Sequence, residues 1–154
     1  MDLCASLAAA VPLGAAMSYE RLFDESYERA VLETRHGREF FESFYQRFLV
    51  ASPLVRHKFR HTDMVQQRSM LKKSFYNLLA FYASGSVDNV LERIAVNHSR
   101  RGLDVPPALY DLWLECLVDT VKYYDPLFDD NVELAWRLVL SPGITYMKFK
   151  YDHC

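Results

Sequence analysis

Residues 40–59 read FFESFYQRFLVASPLVRHKF, and this stretch decides the fold. Phe40, Phe41, Phe44, Tyr45, Phe48 and Leu49 recur at steps of three and four, the spacing of one buried face on an α-helix. The helix they predict runs over about 38–51, behind Gly37. Ser52-Pro53 then supplies an N-cap oxygen and a proline at the first helical position, where its missing N–H costs nothing. A short second helix over about 53–59 follows directly.

The same period continues outward in both directions. A helix over about 19–34 precedes Gly37. Asp63-x-x-Gln66 has the form of a capping box opening a long helix, 64–83, with Gln67, Leu71, Phe75, Leu78 and Tyr82 inward. Ser84-Gly85-Ser86 ends it. Val87, Leu91, Ile94 and His98 share a face of a helix over 87–98, and Arg101 to Val105 form a loop. Pro106-Pro107 starts a helix with Tyr110, Trp113, Leu114, Leu117 and Val121 in register, which Asp125-Pro126 breaks. The last helix runs from about 130, with Val132, Trp136, Val139 and Leu140 inward. A kink is expected at Pro142-Gly143 before Ile144, Met147 and Tyr151 continue the face. No segment alternates with period two, so the expectation is an all-α chain of about seven helices without a sheet.

Composition agrees with one helical domain. The 154 residues are 51% apolar and 14% aromatic, with only 5 Gly and 6 Pro. A net charge of -2 gives no electrostatic case for nucleic acid or a membrane as the main partner. Cys4, Cys116 and Cys154 are scattered and odd in number, which reads as reduced thiols in a cytoplasmic protein. Residues 1–17 are small and apolar but lack Lys and Arg and contain Pro12 and Gly14. They are expected to form an N-terminal extension to a domain at 18–154, not a secretion signal or a membrane span.

The informative residues are polar side chains on apolar faces: Tyr45, Gln67 and His98. An isolated buried His or Tyr is most often a satisfied core residue, and a buried Gln without a partner costs about 1–3 kcal/mol. Taken together with their order they carry more. Phe44-Tyr45-Gln46-Arg47-Phe48, then Pro53, then Phe59, resembles the second and third helices of bacterial globins. So does Thr62-Asp63-Met64 followed by Gln67 and Leu71, and so does Ile94-x-x-x-His98 followed by Tyr110. The match spans about residues 25–151.

The resemblance to single-domain bacterial globins, and to the globin domain of flavohaemoglobins, implies a globin fold of seven to eight helices around a pocket for haem b, iron protoporphyrin IX. It implies His98 as the iron ligand, its second ring nitrogen oriented by a backbone carbonyl or by Ser99. Phe59 is expected to stack on the porphyrin, and Leu71 and Ile94 to pack on its two faces. Tyr45 and Gln67 are expected to face a bound gas (O2, NO or CO), whose partial negative charge a phenol O–H and an amide N–H both suit. Arg100, with Arg101, is a candidate partner for the propionates, a solvated basic loop being an equal alternative. Tyr110 corresponds to the tyrosine behind the proximal histidine of flavohaemoglobins. The glutamate that completes that set is missing: its position falls near Tyr151, and the nearest acid is Asp152. The loop after His98 is also about two residues longer. His57 and His61 flank Phe59 and are expected to be exposed, though either is a conceivable sixth ligand. The functional expectation is reversible gas binding, with nitric oxide dioxygenation if a separate reductase supplies electrons. The alternatives are a sensor or carrier without catalysis, a six-coordinate electron-transfer globin, and a haem-free regulator. Monomer and homodimer both remain open.

Overall fold

The computed structural model describes residues 18–154, so the expected extension at 1–17 lies outside the described residues. Those residues form seven helices: α1 (Tyr19–Leu32), α2 (Phe40–Ala51), α3 (Pro53–Lys58), α4 (Met64–Ser84), α5 (Asn89–His98), α6 (Ala108–Tyr124) and α7 (Asp130–Lys150). Six of them start on a side-chain oxygen that takes an otherwise orphaned N–H: Ser18, Glu39, Ser52, Asp63, Asp88 and Asp129. Only α6 starts without one, behind Pro107. Among the described residues there is no strand, and no helix is long and apolar enough to cross a membrane.

Two local expectations need correction. Asp63 caps α4 through the N–H groups of Val65 and Gln66, but no side-chain bond returns from Gln66, so only half of a capping box forms. Helix α5 begins at Asn89, because Asp88 caps it through Leu91 N–H at 2.7 Å and leaves Val87 outside and partly exposed. Helix α7 continues through Pro142, and its inward face carries on in the buried Ile144 and Met147, as expected. Gly143 is buried there, and a Cβ on it would collide with Leu78 Cδ2 of α4. The glycine is the close-approach point that lets α4 and α7 pack.

Helix α1 packs on α7, α2 on α6, and α4 and α5 on α7. The core between them is aromatic. Phe23 lies 4.5 Å from Trp136, Phe41 5.5 Å from Phe75 and Phe40 5.7 Å from Tyr124, ring centre to ring centre. Such pairs add about 0.5–1.5 kcal/mol each beyond the area they bury. One polar cluster crosses this core. The Asp125 carboxylate accepts from Ser26 Oγ at 2.6 Å, from both Nε and Nη2 of Arg29 at 2.6 and 2.8 Å, and from Leu127 N–H at 2.9 Å. Trp136 Nε1 in turn donates to Ser26 Oγ at 2.9 Å. Asp125, which in the sequence reads only as a helix stop, thus ties α1 to the end of α6, while Trp136 ties α1 to α7.

Burial alone would raise the Asp125 pKa, but the bonds from Arg29, Ser26 and the Leu127 N–H outweigh it and hold the group below its ordinary value. A carboxylate shifted down stabilises the fold above the usual Asp range and loses that contribution as pH falls through the shifted value. Asp125→Ala is therefore expected to cost about 3 kcal/mol near neutral pH, at the low end for a broken buried pair because Arg29 is partly exposed. In urea titrations the gap between variant and wild type should close below about pH 4. A gap that is independent of pH would show that the carboxylate charge is not what matters.

Candidate functional site

Tyr45 sits in the middle of α2, on the face that packs inward, and is 4% exposed. Gln67 lies one turn into α4 and donates from Nε2 to the Tyr45 hydroxyl oxygen at 3.1 Å. The direction of this bond matters: the phenol oxygen accepts, so its own hydrogen remains available to a further acceptor. Burial pushes the Tyr45 phenol up to about 12, with the Gln67 bond acting in the opposite sense, so it stays protonated at neutral pH. Phe59, at the C-cap of α3, meets the Tyr45 ring edge-on at 5.8 Å, and Leu71 is buried one turn beyond Gln67.

His98 is the last residue of α5, four residues after Ile94, whose carbonyl lies 2.7 Å from Nδ1. A carbonyl can only accept, so Nδ1 carries the hydrogen and Nε2 holds the lone pair. Burial lowers the imidazole pKa and so favours this neutral form, with the Ile94 bond acting in the opposite sense. Of the two orienting groups expected, the backbone carbonyl takes the role. Ser99 Oγ donates instead to the Val96 carbonyl at 2.7 Å.

The loop after His98 folds back onto its own helix. Leu103 N–H reaches the Asn97 carbonyl at 2.8 Å and Val105 N–H the His98 carbonyl at 3.1 Å. Gly102 is required for this, since a Cβ there would run into the Asn97 carbonyl. The loop is also tied outward. Tyr151 donates to Asp104 at 2.5 Å, Arg100 N–H reaches the Tyr151 carbonyl at 3.1 Å, and Lys58 of α3 donates to the Leu103 carbonyl at 2.9 Å. So the acid that Tyr151 finds is Asp104, from the loop itself. Sequence reading missed both Asp104 and Lys58; the extra loop length was the only available signal.

Arg100 is exposed, pairs with Asp152 at 2.7 Å and lies 4.6 Å over the Tyr151 ring. It serves the end of α7 in this arrangement, through a pair that solvent screening keeps weak. Tyr110 is buried near the start of α6, its pKa raised by burial, and its hydroxyl has no partner among the described residues. His57 and His61 are exposed.

The chain is 36% identical to a protein of Pseudomonas aeruginosa PAO1 whose crystal structure is described as structurally highly homologous to a human haemoglobin. The match covers 87% of this chain and 98% of that one, with a TM-score of 0.80. The chain belongs to the globin family. No protein-family model and no curated protein sequence matches this globin. Its seven helices and their order are those expected of a bacterial globin.

Proposed function

We propose that this globin binds one haem b through His98 and holds a diatomic gas, O2 first among them, on the face served by Tyr45 and Gln67. The observation that carries the reading is the Gln67-to-Tyr45 bond, which leaves a protonated phenol with a hydrogen to donate.

The residues present fit a haem. Nε2 of His98 is a neutral lone-pair donor with no hydrogen-bond partner among the described residues. A single neutral imidazole of this kind suits an iron whose other ligands come from a porphyrin. The segments that carry the candidate residues also hold half-buried apolar side chains, Phe59, Met64, Ile94, Val105 and Leu109. Phe59, Leu71 and Ile94 would line the porphyrin, and Arg100 could exchange Asp152 for a propionate. When bound, haem supplies an iron whose sixth position takes a gas. Tyr45 donates to that gas, Gln67 orients the phenol, and the surrounding apolar side chains keep water away.

With an external reductase supplying one electron, NO and O2 can combine to nitrate on such a protein. The unpartnered Tyr110 hydroxyl favours the reversible carrier or sensor reading over a strongly activated proximal side. The test is the visible spectrum of the purified protein, ferric and ferrous, with and without CO. We expect a five-coordinate ferrous form that shifts on CO. A six-coordinate low-spin ferrous form would point to His57 or His61 as an internal ligand, and absence of a Soret band would overturn haem binding.

A further inference from the structure

The charge of this globin is unevenly spread along the chain. Between Ser43 and Val87 the sequence holds seven Lys and Arg and a single acid, Asp63, a surplus of six positive charges. The whole chain is at -2, so the remainder carries a net eight negative charges. The one acid in the stretch is spent on capping α4. The positive stretch comprises most of α2, all of α3 and all of α4, the elements that carry Tyr45, Phe59 and Gln67.

At its centre three cations lack carboxylate partners among the described residues. Arg56 donates to the Leu49 carbonyl at 3.3 Å, Lys58 to the Leu103 carbonyl at 2.9 Å and Arg60 to the His57 carbonyl at 2.7 Å. Of the seven cations in the stretch only Arg68 meets an acid among the described residues, Glu39 at 3.7 Å, whereas six of the eleven outside it do: Arg21, Arg29, Arg35, Arg100, Arg137 and Lys148. Lys72 and Lys73 extend the exposed charge along α4. The same elements expose large apolar side chains, with Val65 at 69%, Met70 at 54% and Tyr76 at 79%. Cations left on neutral carbonyls or solvent, in a stretch that also exposes Met and Tyr, have the composition of a recognition surface. The acidic remainder of the molecule would repel an acidic partner and so orient its approach.

We propose that the α3–α4 face is the docking surface for an acidic one-electron carrier protein. The docking follows from the charge and the side chains. The electron-delivery role rests on the haem reading, because Phe59, the residue expected against the porphyrin, lies between Lys58 and Arg60 in this patch. In the transfer one electron leaves the partner's reduced cofactor and arrives at ferric iron, and no bond is made or broken.

The probe is a small acidic flavodoxin, photoreduced, mixed with the ferric protein in a stopped-flow instrument. The second-order rate should fall at least about tenfold between 20 and 300 mM NaCl, as screening removes the steering. R56E/R60E should lower it comparably at 20 mM NaCl. R38E/K122E, with the same net charge but cations changed outside the patch, should not, and reduction by dithionite should be equal in all three proteins. A rate insensitive to salt, or lowered equally by both double variants, overturns the proposal. Calorimetric titration with oxidised flavodoxin reads docking without any iron. Salt-sensitive binding that R56E/R60E abolishes would support the surface even if no haem were found. If the protein sediments with phosphatidylglycerol vesicles at 150 mM NaCl and does not bind flavodoxin, the face is a membrane surface and the proposal fails.

Discussion

His98→Ala is expected to leave a folded protein that has lost its haem. The side chain projects from the last residue of α5 and is oriented by one bond, to the Ile94 carbonyl. Its removal breaks no other contact of that kind, so far-UV circular dichroism should show the helices intact. Changing a group that merely orients a metal ligand costs about 10–100-fold in affinity, so deleting the ligand itself should cost at least about 100-fold. The ratio of Soret to protein absorbance in the purified variant checks this, and added imidazole should restore part of it by occupying the space the side chain left. Full haem content with an unchanged ferrous–CO spectrum would remove His98 from the role.

Tyr45→Phe should speed O2 release. The phenol is buried, protonated and already accepting from Gln67, so its hydrogen is the donor aimed elsewhere. A hydrogen bond to a charged acceptor is worth about 1.5–3 kcal/mol, which corresponds to an off-rate about ten- to hundredfold higher. Gln67→Leu should act through the same hydroxyl, with a smaller effect alone and almost none once Tyr45 is Phe. Residues that share one ligand are non-additive in this way. Stopped-flow displacement of O2 by CO measures all four corners of the cycle. An off-rate for Tyr45→Phe within twofold of wild type would mean that the phenol points away from the gas.

What could be read from the sequence follows the range of the interaction responsible. Helix starts at Ser52 and Asp63 were legible because a cap is made within three residues of itself. The start of α5 was misread for a related reason: Val87 fits the apolar period, but Asp88 one residue later has the oxygen that caps Leu91. The apolar period anticipates that α7 continues past Pro142 in Ile144 and Met147, but the close approach of Gly143 to Leu78, more than sixty residues away, is announced by nothing local. In the site, the Ile94 carbonyl under His98 is a one-turn relation and could be anticipated. The Tyr45–Gln67 bond joins two helices 22 residues apart. Periodicity placed each residue on an inward face, but only likeness to a known family brought them together. Arg100 shows the limit of reading charge alone, since Asp152 and an outside carboxylate are equivalent until the end of α7 is placed beside the loop.

The polar tie around Asp125 has a consequence for biosynthesis. Ser26 and Asp125 are 99 residues apart, and Ser26 and Trp136 are 110 apart. At about 5–20 residues per second, α1 leaves the ribosome roughly 5–20 s before the carboxylate and the indole that complete its inner face. Throughout that interval Phe23 lacks Trp136 of α7 and Arg29 lacks the Asp125 carboxylate. A chain that ends before residue 125 can still pack α1 through Tyr27 on Phe41 and Phe75, but it lacks the polar ties that fix Ser26 and Arg29.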